Sequence, residues 1–399
     1  MASIRPRTNK QGEIISYEIR VYRGRDTEGK QLKPFTTSWT PPEGWSAYKI
    51  NKEVNKFAAL FEENCKKGNV STERKSFAEY AAYVIDLKER NGAKHKTIVR
   101  YRSLLERIVD DQNSGIGHLK LQDIRADHLN TLYAKLAEPG QNKQTGEGLS
   151  AKTIIEHHRL ISTVLAQAVK EQLIPQNIAQ RATPPKMPKH EAECFELEEV
   201  QAIIEAANTE PLKWKAIVNL LIATGARRGE IMGLQWKSVD FKTNQLHLCK
   251  TILYAADKGI YSDTLKTGTS RYVTVAPSVM ELLMDLKNEQ TLQRLSMGAE
   301  WHDTGYLFTQ ENGNPMHPDS VTDWLYKFSK RHNLPHINPH KFRHTQASLL
   351  INQGVDIVSV SKRLGHAKVS TTSDIYAHIL NKADEKASNV IDTLLYKLA

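Results

Sequence analysis

The segment Asn338–Tyr376 reads NPHKFRHTQASLLINQGVDIVSVSKRLGHAKVSTTSDIY. Asn338 and Pro339 are turn formers that open a helix, and His340 and Arg343, three residues apart, project from the same face of it. Ala347, Leu349, Leu350 and Ile351 supply the apolar stripe that seats this helix, and Gly354 ends it. A second short helix, Ile357–Leu364, stops at Gly365 and leaves His366 at its exit. Tyr376 follows ten residues later, between Ile375 and Ala377-His378.

Far upstream, Trp214–Ala223 is an apolar helix expected to be buried, and it ends in a Thr224-Gly225 turn that presents Arg227 at the start of the next helix. Arg227 and Glu230 are spaced i, i+3, so the carboxylate can hold the guanidinium in place; an ordinary surface ion pair is the alternative, and Arg228 is a competing neighbour. Thr224-Gly225-Ala226-Arg227-Arg228-Gly229-Glu230, His340-x-x-Arg343, Leu364-Gly365-His366 and Tyr376, in that order, resemble the signature of the tyrosine recombinases, in the lambda-integrase-like branch of phage and conjugative-transposon integrases. Any one element recurs by chance; the ordered set, spread over about 150 residues, is specific.

The resemblance implies a site-specific DNA recombinase that integrates and excises a mobile element or prophage through a 3′-phosphotyrosyl intermediate. It assigns Arg227, His340, Arg343 and His366 to the scissile phosphate, Tyr376 as nucleophile and Glu230 in support. Lys266, preferred to Lys258, matches the family's β-hairpin lysine beside the cleaved bond. The chemistry suits those residue types: phosphorus gains charge density on its non-bridging oxygens as it becomes five-coordinate, and two guanidiniums offer planar forks that stay charged at any working pH. One preorganised donor of this kind is worth roughly 3–4 kcal/mol of barrier. His340 can act as acid or base near neutrality, Lys266 can protonate the departing 5′-oxygen, and Tyr376, whose free pKa is about 10, needs a cationic pocket that favours its phenolate. A covalent intermediate stores the bond energy, so the resemblance calls for no cofactor and no metal.

Composition agrees. The chain has 399 residues, too many for one ordinary core, and a net charge of +10, which suits a nucleic-acid partner, with plain solubility as the alternative. Cys65, Cys194 and Cys249 are widely separated and point to a reducing cytosol; there is no apolar run near the roughly 20 residues that span a bilayer and no signal-peptide core. The expectation is a bacterial cytoplasmic, DNA-associated protein. Its 15 histidines raise a metal hydrolase, but no HExxH or Cys/His ligand spacing accompanies them. A helical DNA-binding regulator would explain the basic helices only, and a type IB topoisomerase shares the covalent chemistry without strand exchange.

The expected fold is multidomain and mainly α with small β elements. Residues 1–70 form an α+β module, with strands over Ile14–Tyr22 and Lys30–Trp39 and a helix over Ser46–Lys67. Arg20, Arg23, Arg25, Lys30 and Lys33 cluster around its hairpin; the resemblance makes this an arm-type DNA-binding domain, against the bland reading of a solvated rim. Residues 71–185 carry four amphipathic helices, with Lys94, His95, Lys96, Arg100, Lys152 and Arg159 as candidate phosphate contacts of a core-binding domain. The proline-rich stretch Ala182–Lys189 is a stiff linker. Residues 186–399 form the α-rich catalytic domain with a small β-sheet and a tail helix after Tyr376. The resemblance adds core-type and arm-type attachment sites, a homotetramer on DNA with the tail passed between protomers, and an excisionase or a host DNA-bending protein as candidate accessories.

Overall fold

Tyr17, Ile19 and Val21 alternate with Glu18 and Arg20, and this period of two makes β2 (Ile14–Val21) the middle strand of an antiparallel sheet between β1 (Ser3–Thr8) and β3 (Phe35–Trp39). Ile4 faces Ile19 across one ladder and Tyr17 faces Trp39 across the other. Helix α1 (Ala47–Lys66) lays Val54, Ala58, Phe57 and Phe61 over Ile19. Two details differ from the sequence expectation. β1 is a strand although its SIRPRT sequence is polar and holds Pro6, which an edge strand tolerates. The strand expected over Lys30–Trp39 starts only at Phe35, because Pro34 has no N–H to give a ladder.

This is a computed structural model, and it describes residues 2–25, 27–66, 75–110, 112, 114–187, 193–265, 268–373 and 375–376. The chain divides into two compact units, Met1–Pro188 and Lys189–Ala399. Lys266, the end of the expected linker and the tail helix expected after Tyr376 lie outside the described residues.

The first unit also holds α2 (Phe77–Arg90), α3 (His95–Val109), α4 (Ala126–Leu136) and α5 (Ala151–Lys170), the four helices expected from periodicity. Ser76 and Glu79 cap α2 reciprocally, and the Ser150 side chain accepts from the Thr153 N–H to start α5. Leu104, Ile108, Leu129, Leu132, Leu136, Leu160, Ile161 and Leu165 fill the bundle core, each worth roughly 1.5–3 kcal/mol for full burial.

The second unit is built around α7 (Leu212–Thr224), which buries Ala216, Ile217, Val218, Leu220 and Leu221 completely and is therefore an internal helix. α6 (Leu197–Asn208), α9 (Pro277–Met297) and α11 (Pro339–Asn352) pack against it. α8 (Arg228–Met232) follows it, and α10 (Asp319–Arg331) and α12 (Ile357–Leu364) complete the helices. Strands β4 (Val239–Asp240), β5 (Gln245–Leu248) and β8 (Arg271–Thr274) form one antiparallel sheet in the order β4-β5-β8. β6 (Lys250–Ala255) and β7 (Gly259–Thr264) form a separate hairpin. β5 and β6, separated by Cys249 alone, thus lie in different sheets, and Tyr261–Thr264 pairs with β6.

Gly225 ends α7 with φ +57, and a Cβ there would collide with Gln346 Oε1 and stand 2.9 Å from Leu364 Cδ2. Gly225→Ala should therefore cost the second unit roughly 2–4 kcal/mol, combining left-handed strain with overpacking. Urea unfolding followed through the stacked Trp214–Trp324 pair, whose rings are 4.5 Å apart, measures it; an unchanged midpoint would mean that the turn relaxes freely.

Candidate active site

The turn after α7 makes the first half of the site. Arg227 is the N-cap of α8, and Glu230, three residues on, returns its carboxylate to it: Oε2 accepts from the Arg227 backbone N–H at 3.1 Å and Oε1 takes the Arg227 guanidinium at 2.7 Å. Arg271, from β8, donates Nη2 to the same Oε2 at 2.7 Å. Glu230 is 2% exposed. Burial alone would raise its carboxyl, but the guanidiniums, Arg271 ahead of Arg227, outweigh burial and hold it below the usual carboxylate range. Arg228 points elsewhere, to Asp319 Oδ1 and Thr322 Oγ1 at 2.6 Å each, so Arg227 is the arginine on this carboxylate.

Helix α11 supplies the second half. The Asn338 side chain accepts from the Lys341 N–H and Pro339 occupies the first turn, as the quoted segment implies. Arg343 is 4% exposed and donates Nη1 to the Gly225 carbonyl at 2.8 Å and Nη2 to the Leu364 carbonyl at 2.7 Å. It thereby ties the end of α7 to the end of α12. Burial, and then the Arg227 guanidinium, push Arg343 down to about 9, which leaves it cationic at neutral pH. His340, on the first turn of α11, is exposed.

α12 ends at Gly365 with φ +68, and His366 leaves it with Nδ1 2.7 Å from the Thr372 hydroxyl. Burial, followed by the Arg343 and Arg227 guanidiniums, lowers His366 to about 4, so the ring is neutral near pH 7. When the Thr372 hydroxyl donates to Nδ1, Nε2 carries the proton and can donate.

Tyr376 is fully buried against Ala347, Ile351, Val360 and Leu364, with its hydroxyl 2.8 Å from His344 Nδ1. Burial pushes the phenol well above its ordinary value, the Cys194 thiol adds to this, and Arg343 only partly opposes it. The expectation of a cationic pocket that favours the phenolate is therefore not met in this conformation: desolvation outweighs the nearby guanidinium. His344, itself lowered by burial and by His340 and Arg343, is a neutral partner for the phenol.

A model of the phage integrase family matches residues 193–383, and a model of the phage integrase SAM-like domain matches residues 76–183. The chain belongs to the tyrosine recombinases of the phage integrase family. The recombinase is 29% identical over 323 residues to a tyrosine recombinase XerC-like protein of Caldanaerobacter subterraneus subsp. tengcongensis, covering 76% of this chain and 79% of that one. It is 27% identical over 249 residues to the ICEBs1 integrase of Bacillus subtilis, covering 62% and 67%. Its fold is similar to that of the Tn1549 transposon integrase in complex with transposon right-end DNA, with a TM-score of 0.64 at 20% identity, covering 79% of this chain and 99% of that one. The recombinase is thus an enzyme that cleaves and rejoins DNA, in the site-specific recombination that integrates and excises mobile elements.

The recombinase's candidate DNA contacts outside this site are partly engaged. Arg20 pairs with Glu18 at 2.7 Å, the Arg23 guanidinium lies 4.8 Å from the centre of the Phe35 ring, and Arg25 donates to the Gly29 carbonyl. Arg100 on α3 meets Glu156 on α5, joining the helices that carry Lys96 and, on the other side, Lys152 and Arg159; these basic side chains are exposed. Lys94 is the N-cap of α3 and His95 its first residue. Among the described residues no helix is long and apolar enough to cross a membrane, and no group of three or more His, Cys, Asp and Glu could hold a metal ion.

Sequence reasoning missed Arg271, His344 and Thr372. His344 was within reach, one turn after His340 and next to Arg343, but nothing local says that Tyr376 returns to it. Thr372 and Arg271 carry no motif; only the packed chain reveals their partners.

The lowered His366 has a direct consequence in solution. Its ring, assigned by comparison with His366→Asn, should titrate near 4 rather than the ordinary 6.5 in a proton NMR series on the free recombinase. Its folded pKa is depressed, so its contribution to stability is present above pH 6.5 and is lost as pH falls toward 4. A midpoint at the ordinary value would show that the ring is solvated and apart from the guanidiniums.

Proposed function

We propose that Arg227, Arg343 and His366 receive the scissile phosphate, that His340 and Lys266 move protons, and that Tyr376 attacks phosphorus. The observation that carries this reading is the convergence of Arg227, Arg343 and His366 at the joined ends of α7 and α12, with Tyr376 packed in the same cluster as Leu364 at the end of α12. In the reaction, the Tyr376 oxygen forms a bond to phosphorus as the bond to the 5′-oxygen breaks. The phenolic proton is lost to a base, with His340 as candidate, and Lys266 protonates the 5′-oxygen, giving a 3′-phosphotyrosyl enzyme and a free 5′-hydroxyl. The guanidinium forks and the His366 Nε2 proton meet the charge that builds on the non-bridging oxygens. Glu230 keeps Arg227 in place. Attack by a 5′-hydroxyl from a second duplex reverses the chemistry on a new partner, and this exchange separates a recombinase from a type IB topoisomerase.

Three domains divide the labour: residues 1–70 hold arm-type sites, while 71–185 and 186–399 hold the core-type site. Four copies act together on DNA in a bacterial cytoplasm, the segment after Tyr376 passing between protomers, with an excisionase or a host DNA-bending protein as accessory.

Tyr376→Phe should abolish the covalent complex formed on a nicked attachment-site duplex, while half-site affinity changes less than about twofold, because only a buried hydroxyl is removed. A denaturing gel decides it: continued linkage to DNA would identify another nucleophile. Deleting residues 1–70 should spare cleavage at an isolated core site and weaken assembly on long attachment DNA, as expected for loss of a tethered second contact. Equal loss at the isolated core site, measured by native gel, would end this division of labour.

A further inference from the structure

Glu230 is the acidic group that orients Arg227, and of its two oxygens the one that also caps the Arg227 backbone, Oε2, is held by Arg271. Arg271 begins β8, opposite Leu248 of β5, and its side chain is 9% exposed. It spends its donors in two directions. Nη2 goes to Glu230 at 2.7 Å, and Nε goes to the Arg363 carbonyl, in the last turn of α12, also at 2.7 Å. Its guanidinium also lies against Gly365, where an added Cβ would stand 2.8 Å from Nη1. One side chain from the sheet thus touches both walls of the site: the carboxylate under Arg227 and the backbone that leads into His366.

We propose that Arg271 is a positioning residue of the recombination site: it fixes Glu230, and through Glu230 the fork of Arg227, while holding the end of α12 that carries His366. A guanidinium is suited to this because its planar fork serves two acceptors in fixed, divergent directions, which a lysine ammonium on a flexible stem does not reproduce. Removing it leaves Glu230 buried with one partner instead of two, so the carboxylate and Arg227 can settle in another arrangement. Arg227 would then reach the phosphate off its productive geometry, and a misplacement of about 1 Å can cost a hundredfold in rate. The electrostatics agree, since Arg271 is the larger of the two stabilisers of the Glu230 carboxylate. A second arginine stiffens the same corner: Arg363 donates Nη2 to the Ala223 carbonyl at 2.7 Å and to the Thr274 carbonyl at 3.1 Å, so β8 and α12 are laced in both directions.

This inference rests on the reading in which Arg227 acts at the phosphate, and a double-mutant cycle tests the two separately. Arg271→Gln, Arg227→Lys and the double variant are compared as full-length chains in single-turnover cleavage of a nicked attachment-site duplex, alongside half-site affinity and thermal unfolding. Arg271→Gln should slow cleavage about tenfold to a hundredfold with half-site affinity within about twofold. The double variant should lose clearly less than the product of the two single losses, because the part of the Arg271 effect that runs through Arg227 is already gone while the part that runs through α12 and His366 remains. Arg271→Lys, which keeps the charge and loses the second acceptor, should fall between wild type and Arg271→Gln; if Arg271→Gln does not fold, the cycle is run with the lysine variant. Fully additive losses, or normal cleavage by Arg271→Gln, would overturn the positioning role while leaving Arg227 at the phosphate. Normal cleavage by Arg227→Lys alone would overturn both.

Discussion

A carboxylate removed from water and shared by two guanidiniums sets the geometry on which the rest of this site depends. Glu230 is too deeply buried to remain ionised unaided, and either arginine lost would leave it a poorly compensated charge, a condition that costs several kcal/mol elsewhere in proteins. The arrangement is self-enforcing: Arg227 and Arg271 cannot wander without exposing the acid to an apolar interior. What results is a cationic surface that is rigid before any DNA arrives, which is the state in which oriented charges contribute most to a reaction.

Arg343 extends the same logic to the backbone. Its guanidinium satisfies carbonyls at the C-terminal ends of two helices, α7 and α12, groups that a helix cannot satisfy by itself and that carry partial negative charge. A long apolar helix thus ends in an acceptor for a buried cation, and the left-handed glycines at both ends turn the chain sharply enough for Arg227 and His366 to stand beside it. Hydrophobic packing of α7 and cationic chemistry at its tip are two parts of one construction.

How much of this was legible in the sequence follows from the range of the interactions. The helix with His340 and Arg343, the glycine stops at Gly225 and Gly365 and the Arg227–Glu230 pair are all settled within one turn of chain, and each reads correctly from spacing. The link from Arg271 to Glu230 spans 41 residues and joins a strand to a helix, so no periodicity announces it. The β1 strand escaped because an edge position tolerates polar residues and a proline that a strand pattern would reject. The phenol was expected among the cations; instead apolar contacts from α11 and α12 claimed it, and local spacing carries no information on which of two neighbouring environments wins.

The buried hydroxyl has a kinetic meaning for a genome's integrity. On the proposed function the nucleophile is stowed, because the Tyr376 phenol has to leave its apolar contacts before it can meet a phosphate. On that reading, with Tyr376 inside its own apolar nest, only the fraction of molecules that release the side chain would be armed at any instant, and the frequency of stray nicks would scale with that fraction. Contacts that favour the released form then act as a licence, so fidelity is set by what opens the nest as well as by what the protein grips.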